Sequence, residues 1–473
     1  MPTDPRQLRA DAPLLDAWLR FREHPPTPFT IPGHKQRTDL VGDVVAGDVP
    51  LYAGLDTMKL TTGALADAEA RAARLWGADF CRFSTGGATH ANQAVALAVA
   101  QHGDTVIVSR TLHRSLLLGL VLAGLNPVWV QPEVDPATGL PTGVAPGEVR
   151  RALATHPQAR AVFVGDPSYV GTVGDVAGLA GVAHEHGVPL IVDAAWAAHF
   201  GFHPDLPRHP LQLGADAMVT SAHKTLPAWS QAALVLARTE RFDPARLDAG
   251  VEATATTSPA GAILASTDAA RALLERDGDK LLGDAIAATA DARQRLRSVH
   301  GLTVLDGPDV DPLKLTLVLA GTGADGNAVE QDLLAAGLPL ESADRDVLVA
   351  VVSLADTADG LTALTDTIIR SVERLRDTPR PVVGPAAYRL DPVPGIPPRD
   401  AFFAAAEPVP IDRAVGRVSA ELVAPYPPGI PVLAPGEQIT TATLNALEHA
   451  CRAGVRIAYA ADPTLATLRV TAT

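Results

Sequence analysis

A chain of 473 residues that is 47% hydrophobic and 19% charged can build one large core with a smaller appended unit, or three modest ones, and lacks the polar composition of a disordered chain. Lys and Arg number 39 against 53 Asp and Glu, giving a net charge of −14 that repels nucleic acid and anionic membrane and modestly favours cationic small molecules. Two widely spaced cysteines, Cys81 and Cys451, make neither a disulfide framework nor a metal knuckle, which points to a reducing, cytoplasmic compartment.

In chain order, residues 1–60 form an N-terminal arm with a helix near Leu14 to Arg22 and a loop, Pro32-Gly33-His34-Lys35. Met1 to Asp11 is charged and proline-bearing, so no signal peptide is expected. Residues 61–260 alternate between helical and strand patterns. Helices are expected over Ala64 to Trp76, Thr89 to Gln101 and Val173 to His186. Strands are expected over Thr105 to Ser109, Pro127 to Val130, Ala161 to Val164, Pro189 to Val192, Ala217 to Thr220 and Ala232 to Leu236. Such alternation implies an α/β fold with a mainly parallel sheet covered by helices on both faces. The longest apolar run, Leu116 to Leu125, is about half the ~20 residues that a membrane-spanning helix needs, and reads as a buried helix. Residues 261–378 continue as an α+β subdomain with helices at Asp268 to Leu274, Leu281 to Arg297 and Leu361 to Arg376 and a strand at Lys314 to Leu319. Residues 379–473 open with seven prolines from Pro379 to Pro398, read as a linker, and end in a small α+β domain.

Ligands of open α/β sheets sit beyond the carboxyl ends of the strands, so the residues that follow each strand carry the functional reading. Ser221-Ala222-His223-Lys224 follows one strand; a lysine there is partly desolvated, which lowers its pKa and favours amine chemistry. Only five of the 39 cations are lysines: Lys35, Lys59, Lys224, Lys280 and Lys314. Asp193 ends another strand, where a buried carboxylate requires a cationic or hydrogen-bonding partner. The run Ser84-Thr85-Gly86-Gly87-Ala88-Thr89-His90 enters a helix and offers an anion cradle. His113 follows a further strand and could stack on an aromatic ring. Each feature alone reads more readily as a surface lysine, a turn aspartate, a helix-entry loop or a structural histidine. Together they place an amine, an acid, an anion cradle and a stacking imidazole on one sheet edge, the parts a pyridoxal 5'-phosphate (PLP) site requires. His184, His186, His199 and His203 do not compose a metal site, because Gly201 and Pro204 break a helical pairing and no third ligand is evident.

At these residues the chain resembles the bacterial ornithine/lysine/arginine decarboxylases of the aspartate-aminotransferase fold (PLP fold type I), in their short form without a wing domain. The resemblance rests on Ser221 to Lys224 with Thr225-Leu226-Pro227-Ala228, on Thr89-His90-Ala91-Asn92, on Leu112-His113-Arg114-Ser115, and on Pro425-Tyr426-Pro427-Pro428-Gly429-Ile430-Pro431 with Pro435-Gly436-Glu437. It implies that Lys224 holds PLP, that Asp193 pairs with the ring nitrogen, and that His113 and Ala195 pack on the two ring faces. It assigns Thr89, His90, Ser221 and His223 to the phosphate, and Trp196 and Glu437 to the substrate. It also implies a seven-stranded-type sheet, decarboxylation of arginine, lysine or ornithine, a place in polyamine biosynthesis, and a homodimer or higher homo-oligomer. Another fold type I reaction on an amino acid (aminotransferase, lyase or oxidative decarboxylase) is the alternative. Two departures stand out: Ala260-Gly261 replaces a Ser-Tyr pair that approaches the site across the subunit interface, and Gly86-Gly87-Ala88 replaces a more hydroxyl-rich phosphate loop.

Overall fold

The computed structural model describes residues 4–24, 27, 29–49, 55, 63–382, 390–426, 429–452 and 455–472. Seven strands make the large sheet: β1 (Phe80–Ser84), β2 (Thr105–Ser109), β3 (Asn126–Val130), β4 (Val162–Gly165), β5 (Leu190–Asp193), β6 (Ala217–Thr220) and β7 (Ala233–Ala237). Their order is β1-β7-β6-β5-β4-β2-β3; β7 runs antiparallel to both neighbours and the other pairings are parallel. The α/β expectation holds. Every residue of β5, β6 and β7 is buried, as a sheet covered on both faces requires. Successive side chains alternate between two cores: Ile107, Val162, Val164, Val192 and Met218 enter one, and Val106, Val108, Phe163, Ile191 and Val219 the other.

Helices α1 (Pro13–Glu23), α2 (Ala64–Leu75), α3 (Gly87–Val99), α4 (Arg114–Ala123), α5 (Pro146–Thr155), α6 (Val176–Glu185) and α7 (Pro244–Thr254) flank this sheet. Gly250 in α7 lets its backbone meet α3: a Cβ there would stand 2.4 Å from the Ala94 carbonyl oxygen.

One expectation fails in a way that has a physical cause. The helices read separately over Asp268 to Leu274 and Leu281 to Arg297 are one 36-residue helix, α8 (Gly261–Leu296), about 54 Å long. The polar run from Glu275 to Lys280, with Gly278 inside it, interrupts the apolar period. Ion pairs at i,i+4 spacing, Arg271–Glu275 and Lys280–Asp284, lie on that run and carry the helix through it. The start of α8 also accounts for one departure from the family pattern. A Cβ on Gly261 would lie 2.5 Å from the Val49 carbonyl oxygen and 2.6 Å from Leu55, so the arm packs where a side chain would otherwise stand.

After α8 comes a four-stranded antiparallel sheet, order β8-β9-β11-β10, from β8 (Thr303–Val304), β9 (Lys314–Val318), β10 (Ser342–Ala343) and β11 (Val347–Val351). Helices α9 (Gly326–Ala335) and α10 (Ala358–Arg374) pack on it, burying Val329, Leu333, Ile368 and Val372. The proline-rich segment is fastened at its start, since Arg380 bonds Asp346 and the Gly323 and Ala324 carbonyls; residues 383–389 within it lie outside the described residues. Beyond it, three two-stranded ladders and helix α11 (Thr441–Arg452) enclose a core of Val423, Leu433, Leu447, Leu468 and Val470. This part docks on the β2–β3 edge of the large sheet. Arg399 donates to the Val121 and Leu122 carbonyls at the C-terminus of α4, where the helix dipole favours a cation.

Candidate active site

The chain passes from β3 back across β2 to β4, and this reversal opens a crevice at the carboxyl ends of the strands. A cavity of about 530 Å³ lies there. Among its walls are Gly86, Gly87 and Thr89 after β1, His113 after β2, Tyr169 after β4, Asp193, Ala195 and Trp196 at β5, and Ser221, His223 and Lys224 after β6.

Lys224 sits on a single helical turn, Ala222–Thr225, directly after β6. Burial pushes its amine below the ordinary lysine range, and the negative charges of Asp193 and Glu341 oppose that shift. Its Nζ stands 4.1 Å from the centroid of the Trp196 ring. Trp196 is fixed in turn by the edge of Tyr169, with ring centroids 5.5 Å apart.

Asp193 is buried at the end of β5. Its Oδ2 accepts the Asn92 amide at 2.8 Å and its Oδ1 the Ala195 N–H at 3.3 Å. Asn92 also donates to the Ser115 hydroxyl (2.9 Å), and that hydroxyl meets His113 Nδ1 at 2.8 Å. The Ser115 backbone N–H points at the same Nδ1 (3.2 Å) and can only donate, so Nδ1 is an acceptor and the ring proton of neutral His113 sits on Nε2. Burial lowers the His113 pKa, with Lys224 and Arg114 adding to the effect and Asp193 opposing it, so the imidazole is neutral at pH 7. A continuous chain, His113–Ser115–Asn92–Asp193, therefore ties two of the expected residues together. Neither link was assigned a role from the sequence.

The anion cradle has one group free for a ligand. Ser221 Oγ is buried and has no hydrogen-bond partner among the described residues, while it lines the cavity. Thr89 lines the same wall, and His223 commits Nδ1 to the Ala232 carbonyl (2.9 Å), leaving Nε2. An amine, a buried carboxylate, a neutral imidazole and an orphaned hydroxyl fit the functional groups of PLP.

Two expected residues lie elsewhere. His90 points away from the cavity: α3 carries it about 100° round from Thr89, and both ring nitrogens are taken, by Ser84 Oγ (2.7 Å) and the Val251 carbonyl (3.1 Å). A phosphate role for its side chain is therefore withdrawn. Glu437 is buried against Arg110 as a two-point ion pair, with the second oxygen 2.9 Å from the guanidinium and also accepting from the Ala434 N–H. Its carboxylate is spent on joining the C-terminal part to β2 and does not line the cavity.

Two groups went unread in the sequence. Lys314, the first residue of β9, is buried with its Nζ unpartnered and 3.4 Å from the Trp196 centroid. Burial pushes it down to about 7. Glu341, just before β10, is the other carboxylate besides Asp193 on the cavity wall. The one available signal for Lys314 was its place in a mainly apolar strand pattern; Glu341 lies in an irregular stretch and had none. Among the described residues, no group of His, Cys, Asp and Glu could hold a metal ion, and no helix is long and apolar enough to cross a membrane.

Residues 12–307 match the family model described as Orn/Lys/Arg decarboxylase, major domain, and residues 384–455 match the one described as Orn/Lys/Arg decarboxylase, C-terminal domain. An arginine decarboxylase of Halalkalibacterium halodurans is 32% identical over 97% of both chains. Among solved structures, lysine decarboxylase A from Pseudomonas aeruginosa superposes with a TM-score of 0.83 at 21% identity, covering 99% of this chain and 81% of that one. A structure of SPT with PLP shares the fold more remotely, with a TM-score of 0.54 at 16% identity over 66% of this chain and 77% of that one.

Proposed function

This chain belongs to the Orn/Lys/Arg decarboxylase family and decarboxylates a basic amino acid, and from that premise we propose that it does so with PLP held on Lys224 and with arginine as the preferred substrate. The observation that carries the cofactor half is the meeting of the desolvated Lys224 amine, buried Asp193 and the orphaned Ser221 hydroxyl in one cavity. The arginine half rests on relatives named arginine decarboxylase that align over 97% of this chain.

When bound, PLP supplies an electron sink for the pair released as the bond from Cα to the carboxylate breaks. The protein's own groups do the rest. Lys224, held below its ordinary range, offers a larger fraction of free amine at neutral pH than an exposed lysine would. Asp193 keeps a proton on the ring nitrogen, and the Asn92 amide holds its carboxylate in place for that task. Neutral His113, its Nδ1 held by Ser115 and its ring proton on Nε2, would pack against the cofactor ring in a fixed tautomer. Trp196 and Tyr169 wall the amine from bulk water. Ser221, Thr89 and the Nε2 of His223 would hold the phosphate; the glycines at 86 and 87 bring no hydroxyl of their own.

The assignment extends to a homodimer in the cytoplasm that feeds polyamine biosynthesis. The homodimer is supported by the arm, where Phe29 is 94% and Val44 80% exposed in a single chain, a surface that a second copy would cover. The functional test is to incubate the PLP-loaded protein with arginine, lysine and ornithine and weigh the products by mass spectrometry. Agmatine and CO₂ in equal amounts, without a keto acid, is the expected result. Cadaverine or putrescine as the main product would overturn the arginine assignment, and a keto acid without CO₂ would overturn decarboxylation.

A further inference from the structure

The cavity lining holds two chemically distinct sets of residues: Lys224, Asp193, His113 and Ser221, and with them Tyr169, Glu341, Tyr426 and Ile430. Among the described residues, Glu341 is the other acid on the cavity lining besides Asp193, which Asn92 and Ala195 hold, and no cation forms an ion pair with it. Its Oε1 accepts from the Tyr169 hydroxyl at 3.1 Å, and its backbone N–H is pinned to the Val349 carbonyl at 3.1 Å, so the group is oriented by neighbours.

A sequence of contacts leads from the amine to this acid: Lys224 Nζ to the Trp196 ring at 4.1 Å, Trp196 to the edge of Tyr169 at 5.5 Å, and Tyr169 to Glu341. The charge on Glu341 is near enough to raise the pKa values of Lys224 and Lys314 against the effect of burial. Burial and Glu341 together push the Tyr169 hydroxyl far above the usual phenol range, so it remains a donor at every working pH. Tyr426, on the same lining, is shifted upward by burial, by Glu341 and by Tyr459. Glu341 is thus an exposed carboxylate hydrogen-bonded to one tyrosine with a second on the same lining, a chemistry that recognises a guanidinium or ammonium group: the acid supplies charge-assisted hydrogen bonds, and the rings supply negative faces.

We propose that Glu341, oriented by Tyr169, is the specificity-determining residue that receives the cationic side-chain head of the substrate. The proposal rests on the reading that a basic amino acid is decarboxylated here, and it places the recognition of that side chain within the subunit's own cavity.

The test compares wild-type holoenzyme with Glu341→Gln and Glu341→Asp. Arginine is the substrate, and calorimetric titration follows agmatine and citrulline, the latter an uncharged isostere of arginine. In Glu341→Gln the KM for arginine and the Kd for agmatine are expected to rise about 10-fold or more, the range for loss of a charge-assisted hydrogen bond. Citrulline binding and the bound-cofactor absorbance should be unchanged, and Glu341→Asp should recover part of the loss. A Gln variant whose KM and agmatine Kd both stay within about twofold of wild type would overturn the assignment. If the wild type itself neither turns over nor binds any basic compound, the parent reading fails and this inference falls with it; an unaffected variant of an active wild type removes only the role of Glu341.

Discussion

Two buried residues near the cavity make opposite uses of their surroundings. Lys314 has no hydrogen-bonding partner among the described residues and lies against Trp196, and its burial depresses it to about 7 from an ordinary value of 10.5. Below pH 7 both folded and unfolded chains carry this charge, and the folded state bears the whole cost of burying it. As pH rises from 7 towards 10.5 the folded amine loses its proton while the unfolded one keeps it, so the cost is relieved and stability rises. Lys314→Met should therefore raise the melting temperature at pH 6 by about 3 °C or more, with the gain shrinking as pH approaches 10. Differential scanning fluorimetry across that range measures it, and a gain that grows with pH would contradict the account. Asn92 shows the other use, a neutral amide that fixes a charged group. Asn92→Ala should lower kcat roughly 10- to 100-fold by leaving Asp193 short of a charge-assisted hydrogen bond, with a smaller effect on KM; steady-state kinetics reads it directly. At this scale the sequence revealed the residues on strand ends but not their partners. Lys224, Asp193, His113 and Ser221 could be found because each ends or follows a short, largely buried strand. The neighbours of His90 and Glu437, Val251 and Arg110, lie 161 and 327 residues away in sequence, and such pairings leave no local mark.

Elements were legible where one physical rule dominates. The strands at Thr105–Ser109 and Ala217–Thr220 stand where β-branched runs between turns predict them. Helix α8 was misread because a polar stretch with one glycine looks like a break, whereas side-chain pairs along a helix can bridge it. Contacts between elements depend on features a pattern cannot show. Gly250→Ala would force α7 from α3 and should destabilise the protein by about 1–3 kcal/mol, measurable by urea unfolding. The Arg110–Glu437 pair joins β2 to the C-terminal part with little solvent around it. Glu437→Ala leaves a buried guanidinium uncompensated and should cost about 3–5 kcal/mol, while replacing both residues by leucine should recover most of that loss. Recovery distinguishes a structural pair from a substrate-binding acid, because the double variant would keep its KM for arginine only in the former case.

Across the whole molecule, the alternation of strands and helices gave the class of fold, and the return across β2 explains why the functional groups converge. The oligomeric state is a surface property. Phe29, Ile31 and Val44 are exposed along the arm of a single chain, and Gly261 seats that arm against α8. Light scattering on the purified protein should give twice the 49.1 kDa chain mass or a multiple of it, and Phe29→Asp should shift the population towards the single chain. A wild-type protein of 49.1 kDa at micromolar concentration would remove the dimer from the account.

The central claim concerns which amine holds the cofactor, and the structure offers a sharp choice. Lys224 and Lys314 flank the same indole ring, and burial lowers both amines. Reducing the PLP-loaded protein with borohydride, digesting it and sequencing the pyridoxyl-bearing peptide by mass spectrometry identifies the lysine in one step. A single modified residue, Lys224 on the cavity wall, is the expected result; label on Lys314, or on neither, would overturn the assignment of Lys224.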